Sequence, residues 1–186
     1  MMSHEIRTPM NAIIGFTELL LGTKLEKEQE DYMKTIRISG TNLLNIINDI
    51  LDFSKIESGK FELEDKPFNL IKCVDDVIST LSIRATEKGI KLLRVFGKNT
   101  PEIVSSDEVR IRQILMNLVG NSVKFTNKGE VIIKVDAEYL FDEKKWQLKF
   151  CVIDSGIGIP PDKINKLFKP FSQVDASTTR SYGGTG

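Results

Sequence analysis

Histidine is almost missing from this sequence: there is one, at position 4 of 186 residues. A lone histidine cannot complete a zinc site, and neither of the two cysteines, Cys73 and Cys151, has metal-ligand spacing. Both read as buried free thiols in a reducing compartment, one in a helix and one in a strand. Charge of one sign is not in excess either. Twenty-six basic residues balance twenty-six acidic ones, which argues against a nucleic-acid footprint and against polybasic attachment to a membrane. No apolar run approaches the length of a bilayer span, and no signal peptide is visible, so no membrane span is expected in this segment. Internal repeats and low-complexity stretches are also lacking. What is present is 40% hydrophobic content, enough for a real core in one or two domains.

The single histidine lies in Ser3-His4-Glu5-Ile6-Arg7-Thr8-Pro9. At about 100° per residue, Ile6, Met10, Ile13, Ile14, Thr17, Leu20 and Leu21 fall on one helical stripe. His4, Thr8, Asn11, Gly15 and Glu18 fall on another, centred roughly 140° away. The imidazole is therefore expected to face water or a partner. Glu5 is adjacent and makes no i,i+4 pair. A neighbouring carboxylate can still reach one ring nitrogen, fix the tautomer and leave the other nitrogen nucleophilic. Pro9 cannot donate to the carbonyl of Glu5 and crowds it, which loosens the backbone beside the histidine. Taken alone, the same residues describe a surface histidine on an amphipathic helix.

The pattern predicts a first helix over residues 3–22 and a second from about Glu28 to Glu57, roughly 45 Å long at 1.5 Å per residue. In the second, Ile36, Gly40, Leu43, Ile47 and Ile50 repeat at 4-3-4-3 spacing. Two broad apolar faces joined by a short polar turn make an antiparallel hairpin, which cannot bury both stripes alone. Pairing with a second copy into a four-helix bundle would do so, so residues 1–58 are expected to form a homodimer. After Ser58-Gly59 the periodicity changes. Phe61 to Glu64 alternates as a strand. Asn69 caps a helix to about Lys88, closed by Gly89. Ile90–Phe96 reads as a strand, and Pro101–Ser105 as a short extended piece. A capping box, Ser105-x-x-Glu108, opens a helix over Asp107–Phe125. Val131–Tyr139 and Gln147–Ile153 read as adjacent antiparallel strands. Residues 61–186 are thus expected to form an α+β unit.

Three stretches of that unit carry chemistry. On the helix from Asp107, the wheel puts Ile111, Ile114, Leu115, Leu118 and Phe125 inward. Gln113, Asn117, Asn121 and Lys124 lie on another face, roughly 120° away. An amide oxygen suits Mg²⁺, and a lysine one turn on can meet phosphate oxygens; a solvated polar face would look the same. Asp154-Ser155-Gly156-Ile157-Gly158 closes an apolar strand. Its glycines permit close approach to a flat ligand, and its carboxylate can accept from an exocyclic adenine amine; a plain Asp-Ser-Gly turn fits equally. Phe168 and Phe171 either anchor a lid over a nucleotide or pin a surface loop. Gly183-Gly184-Thr185-Gly186 can offer backbone N–H groups to phosphates.

In this order, the stretches resemble the boxes of the sensor histidine kinases of two-component signalling. Ser3 to Pro9 is similar to the phosphoacceptor box, and Asn117 to Thr126 to the asparagine box. Asp154 to Gly158 is similar to the first glycine box, Phe168 and Phe171 to the aromatic box, and Gly183 to Gly186 to the start of the second glycine box. Met10 to Phe16 has the flavour of hybrid kinases, which carry a receiver domain further along. The resemblance implies a dimeric helical hairpin for histidine phosphotransfer, followed by a Bergerat-type α+β sandwich that binds ATP with Mg²⁺. It puts the phosphoryl group on His4, makes Glu5 the assisting base, and sets Thr8 where relatives orient water to dephosphorylate the partner. Asn121 would ligate Mg²⁺, with Asn117 beside it and Lys124 on phosphate. Asp154 would read adenine, helped by Gly156 and Gly158; Phe168, Phe171, Gly184 and Gly186 complete the implied nucleotide site. The implied partners are a second copy and a response-regulator receiver domain, on the parent chain or separate, in the cytoplasm. The family's second glycine box continues beyond its opening glycines, so the chain is expected to be a C-terminally truncated excerpt. Two rivals are a nucleotide-binding module that transfers nothing and a gyrase–Hsp90-type ATPase. The second is disfavoured because it needs a glutamate where this helix has Asn117.

Overall fold

The computed structural model describes residues 2–166, and the side chains of residues 5–164. The chain divides into two compact units, Met1–Glu62 and Leu63–Gly186.

The first unit is an antiparallel hairpin of α1 (Met2–Leu21) and α2 (Lys27–Glu57). Pro9 lies inside α1, which runs on without a break. Gln29 Oε1 accepts the Glu26 backbone N–H at 3.1 Å, satisfying a donor at the start of α2. The helices pack tightly at Gly40, the one buried residue of α2. A Cβ there would lie 3.2 Å from Ile14 Cγ1 and 3.4 Å from Met10 Cε, so the missing side chain lets α1 in. Arg7 Nη2 donates across the hairpin to Asn48 Oδ1 at 3.1 Å. The hairpin leaves a second apolar seam open. Ile6, Ile13 and Leu20 on α1, and Ile36, Leu43 and Ile50 on α2, repeat every seven residues and are each 40–45% exposed.

The second unit is a sandwich of helices on a sheet. β1 (Lys66–Asn69) pairs antiparallel with β3 (Ile103–Ser106). β2 (Ile90–Phe96), β4 (Gly129–Leu140) and β5 (Lys145–Asp154) form a three-stranded sheet in the order β2-β4-β5. β2 is parallel to β4, and β4 and β5 make an antiparallel hairpin. α3 (Leu70–Glu87) and α4 (Glu108–Phe125) pack on the sheet and on each other. Val131, Ile133 and Val135 alternate inward along β4 and are fully buried against Leu70, Val74 and Val77 of α3 and Leu115 and Val119 of α4. A 3-10 turn at Pro161–Lys166 ends the described chain. The architecture is the helical hairpin and α+β sandwich expected from the sequence.

Four details differ from expectation. Phe61–Glu64 is not a strand. The ladder starts five residues later, where Lys66–Asn69 finds Ile103–Ser106, and Leu63 is 68% exposed. Ser105 does not cap α4, because it is paired with Pro67 in the β1–β3 ladder. The cap is Asp107, whose Oδ1 accepts from Arg110 N at 3.0 Å and whose Oδ2 accepts from Glu64 N at 3.2 Å. The inward face of α4 is Leu115, Val119, Ser122 and Val123; Ile114 and Leu118 are 57% and 41% exposed. The helix is therefore turned by roughly 70° from the predicted stripe. Finally, Cys73 and Cys151 are both free, but only Cys73 is buried; Cys151 is half-buried. Burial pushes the Cys73 thiol above its ordinary range.

Candidate functional site

α4 begins on a satisfied cap and ends under the β5 loop, so both of its faces are held in place. Its first turns are braced by Arg112, which donates to Glu108 on the same helix and, at 2.9 Å, to Asp76 Oδ2 on α3. Its outer face then presents the predicted amides. Asn117 and Asn121 are exposed, and neither side chain has a hydrogen-bond partner among the described residues. Lys124 is half-buried, with its ammonium 4.9 Å from the centre of the Phe125 ring. Gln113 does not join this set, because its Oε1 accepts from Arg110 Nη1 at 2.8 Å. A cleft of about 530 Å³ runs between α3 and α4, lined by Arg84, Lys88, Asn117, Gly120, Asn121 and Lys124 among others. Free amide oxygens beside ammonium and guanidinium groups suit a polyanion and its counter-cation. Among the described residues no cluster of three acidic, histidine or cysteine ligands exists. That donor set fits Mg²⁺, which keeps most of its own waters and shares a ligand's phosphates, rather than a caged structural metal.

The Asp154 corner is built at the other edge of α4. The Asp154 carboxylate accepts from Ser122 Oγ at Oδ2 and from Gly156 N at Oδ1, both at 2.9 Å. These two donors fix the plane of the carboxylate while its remaining lone pairs stay available. Gly156 sits where no side chain fits. A Cβ there would lie 2.8 Å from the Phe125 carbonyl, 2.9 Å from Asp154 Oδ1 and 3.0 Å from Thr126 Oγ1. Ile157 N donates to the Phe125 carbonyl at 3.4 Å, tying the loop to the end of α4. Gly158 adopts φ +67°, which favours glycine. Ser155 Oγ accepts from Glu130 N at 3.0 Å and anchors the loop to β4. Thr126 is fully buried, and its hydroxyl has no partner among the described residues. A fixed carboxylate, an unspent hydroxyl and a glycine notch are what a flat, hydrogen-bonding ring would need.

The sequence-predicted residues thus fall into three groups. Asn117, Asn121 and Lys124 share one face of α4, and Asp154 at the end of β5 leads into the loop that holds Gly156 and Gly158. His4, Glu5 and Thr8 lie in the first turns of α1, in the other unit. Glu5 and Thr8 are exposed, and the His4 side chain lies outside the described ones. Phe168, Phe171, Gly184 and Gly186 fall outside the described residues. Sequence reading missed Ser122, Thr126, Lys88 and Arg84. Ser122 and Thr126 are embedded in the asparagine stretch, where nothing local marks them. Lys88 and Arg84 become visible only once α3 lies beside α4.

Comparison with known proteins adds independent findings. Residues 1–59 match the His Kinase A (phospho-acceptor) domain, and residues 106–186 match the histidine kinase-, DNA gyrase B- and HSP90-like ATPase. The chain is 46% identical over 185 residues to the signal transduction histidine-protein kinase BarA of Escherichia coli (strain K12), covering all of this chain and 20% of that protein. It is 45% identical over 189 residues to hybrid signal transduction histidine kinase A of Dictyostelium discoideum, covering 99% of this chain and 9% of that one. Among solved structures, full-length ShkA in complex with AMPPNP superposes with a TM-score of 0.77 at 36% identity, covering 96% of this chain and 37% of that one. The histidine kinase ThkA in complex with the response regulator TrrA gives 0.58 at 26% identity, covering 92% and 49%. The chain therefore spans a fifth or less of the length of these curated relatives.

Proposed function

The chain joins the phospho-acceptor and ATPase domains of the sensor histidine kinases, and on that premise we propose that it is the catalytic core of an ATP-dependent histidine autokinase acting in a phosphorelay. The observation that carries this reading is the pairing on α4 of two open amides and Lys124 with the Ser122–Asp154–Gly156 corner. One edge suits a polyphosphate and the other a purine.

In this reading the Asp154 carboxylate accepts from the exocyclic amine of adenine, and Lys124 pairs with the phosphates. The amide oxygens of Asn121 and Asn117 would hold Mg²⁺. When bound, that ion neutralises charge on the phosphates and orients them for in-line transfer. A neutral ring nitrogen of His4 attacks the γ-phosphorus. The N–P bond forms as the bond to the bridging oxygen breaks, and ADP leaves. Glu5 orients the ring and takes the proton remaining on the other nitrogen. The phosphoryl group then passes to an aspartate of a receiver domain, and Thr8 positions water for the reverse, dephosphorylating step. Phe168, Phe171, Gly184 and Gly186, which lie outside the described residues, would complete the nucleotide site on the family resemblance alone.

The partner of the hairpin is a second copy, supported by the open seam that α1 and α2 both line at seven-residue spacing. Among the described residues no helix is long and apolar enough to cross a membrane. A cytoplasmic place for this segment, whether or not the parent protein is membrane-anchored, belongs to the same reading.

The test is labelling of the full-length protein with γ-³²P-ATP. Label that survives base and is lost in acid, and that disappears in His4→Gln, is the expected result. Transfer should also fall as pH drops below about 6.5, where the imidazole gains a proton and loses its nucleophilic lone pair. Retained labelling in the His4→Gln protein would remove the reading. Nucleotide binding with no label on the wild type would leave a non-catalytic nucleotide-binding module in its place.

A further inference from the structure

The end of α4 is an accounting problem with an unusual solution. A helix leaves its last carbonyls without intrahelical partners and carries a partial negative charge there. Here the carbonyl of Ser122 accepts the Thr126 N–H, and that of Phe125 accepts the Ile157 N–H. The remaining ones are met from another helix. Lys88 Nζ donates to Lys124 O at 2.7 Å, to Val123 O at 2.9 Å and to Thr126 O at 3.3 Å. Three acceptors match the three N–H donors of an ammonium. Lys88 is the C-cap residue of α3. Gly89, at φ +67°, then turns the chain back into β2, which leaves the Lys88 side chain to reach across to α4.

We propose that Lys88 is a positioning residue for the triphosphate, acting through the end of α4 rather than by contact. The inference rests on the reading that the α3–α4 cleft takes ATP. Its logic is electrostatic. Lys124 belongs to the last turn of α4 and Asn121 immediately precedes that turn, beside the helix's negative end, and that is where a polyanion would have to sit. A cation fixed on the terminal carbonyls cancels the repulsion that this end exerts on phosphates. It also clamps the backbone of Lys124 itself, through the 2.7 Å bond. A neutral cap could hold the helix together but could not remove the repulsion. The charge should therefore matter more as the ligand carries more phosphates.

The experiment titrates the full-length protein with ATP, ADP and adenosine in the presence of Mg²⁺, and compares Lys88→Met, Lys88→Gln and Lys88→Arg with wild type. Lys88→Met and Lys88→Gln should weaken ATP by about tenfold and ADP by about threefold, with adenosine changed less than about twofold. Lys88→Arg should restore ATP to within about twofold of wild type. If Lys88→Met does not fold, Lys88→Gln carries the comparison, since its amide can still donate to the carbonyls. Equal losses for all three ligands, matching a drop in melting temperature, would reduce Lys88 to a structural cap and overturn the proposal, as would unchanged affinities. A wild-type protein that binds none of the three overturns the ATP reading itself and this inference with it.

Discussion

Replacing Gly156 by alanine tests the nucleotide corner with the smallest possible perturbation, one methyl group. That methyl would sit 2.8 Å from the Phe125 carbonyl, 2.9 Å from Asp154 Oδ1 and 3.0 Å from Thr126 Oγ1. None of these three is the far end of a flexible side chain. Phe125 O is main chain at the end of a packed helix, Thr126 is fully buried, and Asp154 is held by Ser122. The loop must therefore move. If it stays and is compressed, overpacking costs about 1–3 kcal/mol. If it swings out, it gives up the Gly156 N–H bond to the carboxylate at 2.9 Å, and a hydrogen bond to a charged group is worth about 1.5–3 kcal/mol. Either route displaces Asp154 or the backbone beside it. Nucleotide affinity should fall by about 5- to 150-fold. Ser122 and the buried Thr126 tie this corner to the inward face of α4, and the cost falls on the folded unit with or without ligand, so the melting temperature without nucleotide should also drop, by about 4 °C per kcal/mol. Calorimetric titration with ATP, paired with a thermal melt, reads both. An alanine variant that binds ATP within twofold of wild type would mean that the close packing around Gly156 has no bearing on the ligand.

Three further outcomes are expected. Leu43→Glu with Ile50→Glu places two carboxylates in the open seam, where each side chain is already 43–44% exposed in the single chain. An unpaired buried charge costs several kcal/mol, so dimerisation should weaken by more than about a hundredfold, seen as a monomer by sedimentation; a persistent dimer would place the interface elsewhere. Thr126→Val replaces a buried hydroxyl that has no partner among the described residues; it should stabilise the nucleotide-free unit by about 1 kcal/mol in a denaturant melt, and a loss would reveal a bond that the hydroxyl makes. The backbone N–H of Arg110, and then that of Glu64, hold the Asp107 carboxyl below the usual carboxylate range. A depressed value means that the stabilisation is complete above the unfolded carboxyl's value of about 3.9 and is lost as pH falls through the lower folded value. Asp107→Asn, which caps without titrating, should therefore lose less stability than wild type between about pH 5 and pH 2; parallel loss in both proteins would assign the acid sensitivity to other groups.

What could be read from the sequence, and what could not, divides along one physical line. α2 and α3 and strands β2, β4 and β5 match their expected spans to within a residue or two, because hydrophobic period and local capping are properties of neighbouring residues. Asn69 illustrates this: its side chain accepts from Lys72 N, three residues away. Apart from the half-buried Cys151, the failures involve a partner distant along the chain. Phe61–Glu64 alternates like a strand but has no strand opposite it, whereas Lys66–Asn69 has Ile103–Ser106. Ser105 has the right spacing for a cap but is taken by that same ladder. α4 is turned away from its apolar stripe because Ser122, counted as polar in the sequence, is buried with its hydroxyl satisfied by Asp154, thirty-two positions on. Lys88 looked like a helix-ending residue and proved to be the cap of another helix, thirty-five to thirty-eight positions downstream. In each case a polar group is satisfied at long range, and a one-dimensional pattern prices such a group as though it faced water. The same property marks the candidate site. The amides of Asn117 and Asn121 are among the polar groups that the described fold leaves unspent, while their neighbours Gln113, Ser122 and Lys88 have been taken up by bonds within the unit. In the proposed reading those two amides are the ones left for the ligand, and their difference from the residues on either side is legible only after the long-range bonds have been assigned.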